Sequence, residues 1–341
     1  MDQIKIGRFI AERRKMKNMT QMQLTIPQTQ LTCNHLESRI FYCYDILNTG
    51  RRDKMSIINI SNLTKKYGDV TAVDHISFQV EEGTMLGFLG VNGAGKTTVI
   101  NMLSTLLMPD GGSVEICGEE LGKNDPAIRR NIGIVYQQNC LDDILTVREN
   151  LLCRGMIHGA SRNEAKGQCE RLSGILKLED IMQKKYRTLS GGQKRRCEIA
   201  AALMHTPKLL FLDEPTTGLD PATRLDVWNI IDELQKKEKM TVFLTTHYME
   251  EAAGADQIII LDHGKIITSG TPFELKEKYA KDKVKIYYRD GHKEERYIST
   301  TLEALSIVNP ISDRIDGFEV IQGNMDDVFL NAVGRKLMEE G

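Results

Sequence analysis

The chain has 341 residues, a formal net charge of −2, 41% hydrophobic residues and 27% charged residues. This composition is typical of a globular protein, and the near-neutral balance argues against a nucleic-acid surface along the whole chain. No apolar run approaches the roughly 20 residues that a membrane-spanning helix needs, and no apolar signal core follows the N-terminus.

The seven cysteines are scattered along the chain and never form a C-x-x-C pair. An odd number of cysteines without metal-ligand spacing indicates reduced thiols. Reduced thiols are typical of cytoplasmic proteins, so we expect neither a disulfide framework nor a zinc site.

The first 54 residues differ in charge from the rest, with ten Lys and Arg against five Asp and Glu. The stretch "IKIGRFIAERRKMKNMTQMQL" resembles the start of a phage-repressor helix-turn-helix domain. Pro27 interrupts the second helix and no recognition helix follows, so we do not expect DNA reading. Arg51-Arg52, if encoded AGG-AGG, would form a ribosome-binding sequence before Met55. Residues 1–54 are then either upstream read-through before a native start at Met55 or a disordered basic extension.

From Met55 onward, strand and helix patterns alternate. Apolar strands are predicted at "SIINISNL", "ISFQV", "TMLGFLG", "IGIVYQ", "KLLFLDE", "MTVFLTT" and "QIIILD". A helix is predicted from Lys96 to about Leu107, ended by the turn "MPDGG", and a helical stretch over about 147–204. Within that stretch, Ser161 and Glu164 form a capping box. The alternation predicts an α/β fold with a mainly parallel sheet and a helical insertion.

The composition changes after residue 270. Thr271, Pro272 and Glu274 predict a capped helix start. A hairpin is predicted to turn at Asp290-Gly291, and two short helices around 301–308 and 325–336. We therefore predict three parts: an extension over 1–54, a main domain over 55–272 and a small α+β accessory domain over 273–341 without a catalytic constellation.

The stretch "GVNGAGKTT" fits the phosphate-loop pattern G-x-x-x-x-G-K-[ST] between a buried strand and a helix. Its glycines let successive backbone N–H groups face one phosphate chain. Lys96 would reach the β- and γ-phosphates, Thr97 would bind Mg²⁺ and Thr98 would hold the α-phosphate. The predicted nucleotide-binding residues here are Gly90, Asn92, Gly93, Ala94, Gly95, Lys96, Thr97 and Thr98. The alternative, a merely flexible glycine turn, does not explain the lysine and threonines.

A second motif, "KLLFLDEPTTGLD", places two carboxylates at the carboxyl end of a buried strand. Ligands of open α/β sheets bind at that edge. Asp213 is predicted to hold the metal, and Glu214 to orient or deprotonate the attacking water. Without a phosphate loop, such a pair would ordinarily be a solvated loop.

Three further residues are candidates by position. His247 follows another apolar strand and is a candidate γ-phosphate contact, although a lone histidine is more often structural. Gln137 lies at a strand end, where its amide would contact both metal and water. Tyr67 precedes the sheet and would stack on adenine, which is a weak signal when taken alone.

Two adjacent glycines in "TLSGGQKRRCEIA" precede a helical pattern that starts with a basic run. Glycine disfavours helix interiors, so the pair is predicted to lie at a helix start. A helix N-terminus of this kind is typical of an anion site. The chain therefore carries two predicted anion sites about a hundred residues apart.

Together these motifs resemble an ATP-binding-cassette (ABC) ATPase from Met55 to about Gly270, in the family's order. The resemblance implies a P-loop NTPase core with an antiparallel β-subdomain and a helical subdomain. It also implies a head-to-tail dimer in which Ser190, Gly191 and Gly192 meet the γ-phosphate held by the partner. Gln193 and Asp220 are carried over as further nucleotide-binding residues. ATP and Mg²⁺ are the implied cofactors.

The tail "NMDDVFLNAVG" and the phrase "SGGQKRRCEIAAAL" resemble the daunorubicin-type drug-resistance exporter branch. That resemblance implies an ATPase subunit serving a separately encoded ABC-2-type membrane permease and exporting a drug-like or amphiphilic compound. Residues 138–160 would receive the permease, so the chain would be cytoplasmic and peripheral on the membrane. No nucleic-acid partner is expected.

Three alternative functions have less support in the sequence. A soluble cassette ATPase acting on nucleic acid or ribosomes usually carries two cassettes or a long coiled coil, and neither pattern is found. A P-loop kinase or GTPase would leave "LSGGQ" without a role. A regulatory DNA-binding protein has only the interrupted N-terminal pattern for support.

Overall fold

The computed structural model describes residues 56–299 and 301–334. The chain divides into two compact units, Met1–Lys54 and Met55–Gly341, and every described residue lies in the second. The predictions about the basic extension 1–54 and a start at Met55 lie outside the described residues.

Strands and helices alternate along most of the described chain. The strands are β1 (Ser56–Tyr67), β2 (Val70–Glu81), β3 (Met85–Leu89), β4 (Gly111–Ile116), β5 (Glu119–Glu120), β6 (Ile132–Val135), β7 (Leu209–Asp213), β8 (Thr241–Thr246), β9 (Gln257–Asp262), β10 (Lys265–Gly270), β11 (Asp282–Tyr288), β12 (Lys293–Ile298) and β13 (Ile315–Ile321). The α-helices are α1 (Lys96–Leu103), α2 (Asp125–Asn131), α3 (Val147–Ile157), α4 (Arg162–Ile175), α5 (Gly191–Leu203), α6 (Pro221–Glu238), α7 (Pro272–Tyr279), α8 (Thr301–Val308) and α9 (Met325–Val333).

The central sheet has six strands in the order β10-β9-β3-β8-β7-β6. The pairs among β9, β3, β8, β7 and β6 are parallel, and only β10 pairs antiparallel, with β9. The predicted mainly parallel sheet is confirmed. Since parallel strands end at one edge, the residues that follow β3, β6, β7 and β8 come together there.

A second sheet, in the order β2-β1-β4-β5, is antiparallel and corresponds to the β-subdomain that the family resemblance implied. The patterns "SIINISNL" and "ISFQV" were correctly predicted as strands. Strands β4 and β5 were not predicted, because β4 begins with two glycines and β5 has only two residues.

The predicted helical stretch over about 147–204 consists of three helices, α3, α4 and α5, with short 3₁₀ turns at Glu179–Ile181 and Tyr186–Thr188. All three helices begin with a capping box, formed by Thr146 and Glu149, Ser161 and Glu164, and Ser190 and Gln193. Each box satisfies backbone donors that a helix start leaves unpaired. The capping box predicted at Ser161 is confirmed.

One predicted helix boundary was wrong. The helix that starts at Lys96 ends at Leu103, although the sequence pattern extends it to about Leu107. Thr105 takes a left-handed backbone conformation with φ of 65°. A left-handed residue does not continue a right-handed helix, so the chain turns four residues early.

Apolar cores lie on both sides of the central sheet. Leu210 and Leu212 of β7 belong to the core on the helical side, whereas Leu209 and Phe211 belong to the core shared with the antiparallel sheet. All four side chains are fully buried. Because alternate strand residues point to opposite faces, continuous apolar strands are required to fill both cores.

The C-terminal residues form a third sheet, β12-β11-β13, with a small core of its own that includes α8 residues. The predicted hairpin is present, with Gly291 at φ of 86° between β11 and β12. The last predicted helix is α9, which ends where Gly334 adopts φ of 73°. Residues of α7 and α9 belong to the larger core of the main sheet, so the C-terminal region is bound to the main body by these two helices.

Candidate functional site

The loop between β3 and α1 packs closely against neighbouring backbone, and glycine occupies the positions of closest approach. A Cβ at Gly90 would lie 2.5 Å from the Leu261 carbonyl oxygen, and one at Gly95 would lie 2.5 Å from that of Ala72. Gly93 and Gly95 have φ of 82° and 108°, a region that favours glycine. The close approaches and the left-handed backbone therefore require glycine at these loop positions.

Lys96 is the buried cation of this loop, with a residual exposure of 5%. Its Nζ donates to the carbonyl oxygens of Gly90 at 2.7 Å and Val91 at 3.2 Å. It also lies 3.7 Å from Oε1 of Glu214. Burial lowers the pKa of Lys96, while the nearby carboxylates of Glu214 and Asp213 oppose that shift. The ammonium group thus lies over its own loop, where a phosphate would meet it.

The first turn of α1 offers the other polar groups of the motif. Thr97 is exposed and Thr98 is half-buried, and Asn92 in the loop is exposed. Ala94 is buried, and its N–H donates to the Val91 carbonyl at 3.1 Å. The helix starts without a side-chain cap, so no capping side chain accepts hydrogen bonds from its first N–H groups.

Asp213 and Glu214 lie at the end of β7, as predicted. Asp213 is 4% exposed, and its Oδ1 accepts a hydrogen bond of 2.6 Å from the Thr245 hydroxyl. Burial raises the pKa of Asp213, and the Thr245 hydrogen bond opposes that rise. Glu214 has φ of 46°, a left-handed conformation that costs a residue other than glycine about 1–2 kcal/mol. Such strain is typical of functional positions.

The Glu214 carboxylate is the centre of the site. Its Oε2 accepts from Gln137 Nε2 at 3.3 Å and from the Thr217 hydroxyl at 3.1 Å. His247 Nδ1 lies 3.3 Å from the same oxygen, but the angles do not make a hydrogen bond and this buried nitrogen has no hydrogen-bond partner. The structure therefore brings together four predicted residues, namely Lys96, Gln137, Glu214 and His247.

The signature residues lie at the start of α5. Ser190 Oγ accepts from the Gln193 N–H at 3.4 Å, and Gln193 Oε1 accepts from the Ser190 N–H at 3.1 Å. A Cβ at Gly192 would lie 2.1 Å from Cγ2 of Thr223, so this glycine permits the approach of α6. Asp220 caps α6 by accepting from the Thr223 N–H at 3.1 Å. These contacts join α5 to α6 and do not involve the phosphate loop.

Tyr67 ends β1, apart from the carboxylate centre, and is 52% exposed. The Lys65 ammonium lies 5.9 Å from the centre of its ring. An exposed ring face is what stacking on a base requires, but the contacts of Tyr67 do not reach the loop. Its adenine role stays a prediction.

Sequence reasoning missed Arg195, which contacts the backbone of the site from α5. It is 5% exposed and donates to the carbonyl oxygens of Asp213 and Glu214 at 3.1 and 3.0 Å. Its position in the basic run "KRR" does not set it apart from its neighbours. Only tertiary packing of α5 on the sheet edge distinguishes it from its neighbours.

Thr245, which bonds Asp213, was missed because it is one of two threonines ending a predicted strand.

The candidate metal ligands fit Mg²⁺, which takes few protein ligands, better than they fit a metal that is coordinated by protein alone. Within residues 56–299 and 301–334 there is no cluster of three or more His, Cys, Asp or Glu that would hold an ion. Mg²⁺ commonly uses one or two protein ligands and completes its shell with phosphate and water. A threonine hydroxyl and a single buried carboxylate, Thr97 and Asp213, match that chemistry.

Comparison of the sequence with known proteins gives consistent matches. The ABC transporter family profile matches residues 73–217. The daunorubicin resistance ATP-binding protein DrrA3 of Streptomyces coeruleorubidus is 41% identical over 69% of this chain and 74% of its own length. The daunorubicin/doxorubicin resistance ATP-binding protein DrrA of Streptomyces peucetius is 37% identical over 81% and 92%. The Nod factor export ATP-binding protein I of Burkholderia thailandensis is 36% identical over 83% and 98%.

Two solved structures are similar in fold. CbiO1 of Clostridium perfringens, part of the ABC transporter complex CbiONQ, aligns with a TM-score of 0.61 and 28% identity over 64% of this chain and 90% of its own. The dimeric ATP-binding cassette MJ0796, bound to ADP and Pi after hydrolysis, aligns with a TM-score of 0.58 and 28% identity over 63% and 98%. With the phosphate loop and carboxylate centre in place, these matches show that the chain belongs to the ABC transporter family as an ATP-binding protein, an ATPase that serves transport.

Proposed function

We propose that this chain is the ATP-hydrolysing subunit of an exporter, that it dimerises head-to-tail on ATP and that it powers a separately encoded ABC-2-type permease. The proposed cargo is a drug-like or amphiphilic compound. The observation that carries the proposal is the carboxylate of Glu214, which has Lys96, Gln137 and His247 within 3.7 Å. The names of the drug-resistance and Nod-factor export relatives support the direction of transport.

In the proposed mechanism, the glycine loop and Lys96 bind the β- and γ-phosphates. Lys96 exchanges its bonds to loop carbonyls for bonds to phosphate oxygens, which are stronger because both partners are charged. Thr98 holds the α-phosphate, the N–H groups of the loop residues over 90–95 face the phosphate chain, and Tyr67 stacks on adenine. Thr97, Asp213 and Gln137 would hold Mg²⁺, which would supply positive charge against the phosphates.

Hydrolysis needs a water in line with the γ-phosphate and a group that takes its proton. Glu214 is the proposed base, because its Oε2 accepts a hydrogen bond from Gln137 and lies 3.3 Å from His247 Nδ1. Gln137 orients the water through its amide. His247 is the proposed γ-phosphate contact. Its Nδ1 is buried, has no hydrogen-bond partner and lies 3.3 Å from Glu214 Oε2. The proton of the water moves to the Glu214 carboxylate as the water oxygen bonds to the γ-phosphorus. The bond from that phosphorus to the β–γ bridging oxygen breaks, so that ADP and phosphate are the products.

The proposed dimer places the start of α5 on the nucleotide held by the partner. Ser190, Gly191, Gly192 and Gln193 would contact its γ-phosphate, and Asp220 would lie at the same interface. ABC cassettes work as dimers with membrane permeases, and the dimeric cassette MJ0796 gives a structural precedent. ATP would then bridge the two chains, and its hydrolysis would release them.

Residues 138–160 remain the proposed permease-binding surface. Ile144 and Ile157 expose 70% and 75% of their surface, and Met156 exposes 43%. Exposed apolar side chains on the segment that follows Gln137 suit a contact with another protein. In the part of the chain that the structure describes, none of the helices combines the length and hydropathy needed to cross a bilayer. The chain would therefore reach the membrane through the permease.

Glu214→Gln tests the catalytic assignment. Loss of a general base lowers the rate of ATP hydrolysis by at least about 100-fold while nucleotide binding remains. The variant should accumulate as an ATP-bound dimer, measured by light scattering after gel filtration. Glu238→Gln on the surface of α6, which pairs with Arg171 at 2.9 Å, is the matched control and keeps normal turnover. Near-normal hydrolysis by Glu214→Gln would contradict the assignment.

The transport assignment is tested by purification from native membranes in mild detergent. A stoichiometric multi-helix permease recovered with the chain supports the exporter. Recovery only with ribosomes or nucleic acid, and without membrane protein, would favour the soluble cassette ATPase instead.

A further inference from the structure

Arg195 connects the signature helix α5 to the backbone around the catalytic centre. Its side chain is buried, and four of its N–H groups reach main-chain carbonyl oxygens. The acceptors are Pro215 at 2.5 Å from Nε, Tyr136 at 2.5 Å from Nη1, and Asp213 and Glu214 at 3.1 and 3.0 Å from Nη2. A planar guanidinium holds such a set in one fixed arrangement, which an ammonium group does not do.

These carbonyls belong to the peptide groups that orient the proposed base and the water-orienting amide. The carbonyls of Asp213 and Glu214 lie on the two sides of residue 214, and that of Tyr136 directly precedes Gln137. Glu214 has φ of 46°, a conformation that persists only where its surroundings enforce it. Its N–H donates to the Thr245 carbonyl at 3.1 Å. Residue 214 is therefore held by β8 on one side and by α5 on the other.

A second side chain of α5 holds the segment that follows Gln137. Glu198 is 5% exposed, and its Oε1 accepts from the N–H groups of Cys140 at 2.8 Å and Leu141 at 3.1 Å. The Tyr186 hydroxyl donates to the same oxygen at 2.7 Å. Arg195 and Glu198, three residues apart on one helix, thus hold the backbone on both sides of Gln137.

The same helix begins at the signature motif. Arg195 comes four residues after Gly191, which is about 6 Å along the helix axis. A shift at the start of α5 would therefore displace the guanidinium and the carbonyls bound to it. In the proposed dimer, that start contacts the nucleotide of the partner.

We propose that Arg195 is a positioning residue, which makes the placement of Glu214 and Gln137 depend on the signature helix of the same chain and so couples the two ATP sites. The coupling rests on the dimer of the proposed function. Arg195 itself contacts backbone only and takes no part in the chemical step. When α5 of one chain contacts the ATP held by its partner, Arg195 then favours the positions of Glu214 and Gln137 that hydrolysis requires in its own chain.

Arg195→Lys is the test, because it keeps the positive charge and removes the planar guanidinium. The expected result is a kcat lower by about 10- to 100-fold, since small misplacements of reacting groups have effects of that size. Nucleotide affinity, measured with a fluorescent ATP analogue, stays within about threefold, and the Hill coefficient of ATP hydrolysis falls towards 1. Arg196→Lys is the control, because Arg196 Nη1 donates to the carbonyls of Leu176 and Lys177 away from the site.

Mixed dimers show in which chain the residue acts. One chain carries Glu214→Gln, so that only the site of the other chain hydrolyses ATP. We expect Arg195→Lys to lower the rate when it lies in the chain with intact Glu214. A loss confined to the dimer that carries Arg195→Lys in the silent chain would overturn the proposal, because Arg195 would then act through the partner's nucleotide.

The outcomes separate this inference from the proposed function. If Glu214→Gln forms no ATP-dependent dimer, the proposed function fails and the coupling with it. If that dimer forms but Arg195→Lys keeps the wild-type kcat and Hill coefficient, or loses nucleotide affinity in proportion to rate, only the positioning role is overturned. Should Arg195→Lys not fold, Glu198→Met, which removes the accepting oxygen, probes the hold of α5 on the segment after Gln137. Lower kcat at unchanged affinity is expected, and unchanged kcat would contradict the proposal.

Discussion

The phosphate loop and the signature motif are both glycine-rich helix starts, but they are built differently. The N-cap of α1 is Gly95, which supplies no side-chain cap, whereas that of α5 is Ser190, which forms a capping box with Gln193. The first N–H groups of α1, beside the buried cation Lys96, therefore have no side-chain acceptor and are available to an anion. In α5 the Ser190 hydroxyl already accepts a hydrogen bond from one of the first N–H groups. Under the proposed function, we therefore expect α1 to bind nucleotide more strongly than α5 does.

Lys96→Ala is expected to have the largest effect on this comparison. Removing a charged donor to phosphate costs about 1.5–3 kcal/mol, so the Kd for ATP rises about 10- to 100-fold. Titration with a fluorescent ATP analogue measures it. The control is Lys236→Ala, which removes only an exposed ion pair with Asp232 on α6. Unchanged affinity in Lys96→Ala would mean that the loop does not hold the phosphates.

Gly192→Ala probes the packing behind the signature motif. The new Cβ would lie 2.1 Å from Cγ2 of Thr223, so α5 and α6 must separate, which costs about 1–3 kcal/mol of unfolding free energy. Urea unfolding measures the loss. Adding Thr223→Ser removes the clashing methyl group and keeps a hydroxyl for Asp220, so the double variant should recover most of the stability. No recovery would show that the clash is not the cause.

Ser190→Ala has the smallest expected effect on stability and the sharpest control. Loss of the N-cap lowers the unfolding free energy by about 1 kcal/mol. Ser161→Ala removes the same kind of capping box from α4 and should cost a similar amount. Only Ser190→Ala should also weaken the ATP-dependent dimer of a Glu214→Gln background, observed by light scattering. Equal dimerisation in both variants would remove Ser190 from the interface.

The sequence predicted the parts of the site that depend on local pattern. The phosphate loop, Asp213, Glu214 and His247 follow apolar strands, and parallel pairing brings such strand ends to one edge. The mainly parallel sheet was predictable for the same reason, since its strands are continuous apolar runs. The antiparallel β4 and β10 are mostly intermediate or exposed and have no such run.

What the sequence did not predict depends on contacts between distant segments. Arg195 lies between Lys194 and Arg196 in one basic run, and nothing local marks it as the buried member. The turn at Thr105 that ends α1 at Leu103 is a backbone conformation that helix propensity alone does not reveal. The hydrogen bond between Thr245 and Asp213 joins two residues that are 32 positions apart in the chain.

At position 214, stability and chemistry favour different residues. Glycine adopts the left-handed backbone found there without the strain that a larger side chain meets, and it would therefore suit the fold better than Glu214 does. A library of this protein sorted only for thermal resistance would accordingly enrich chains that lack the proposed base. Directed evolution of the protein needs selection for turnover together with selection for stability, because at this residue improvement of one property loses the other.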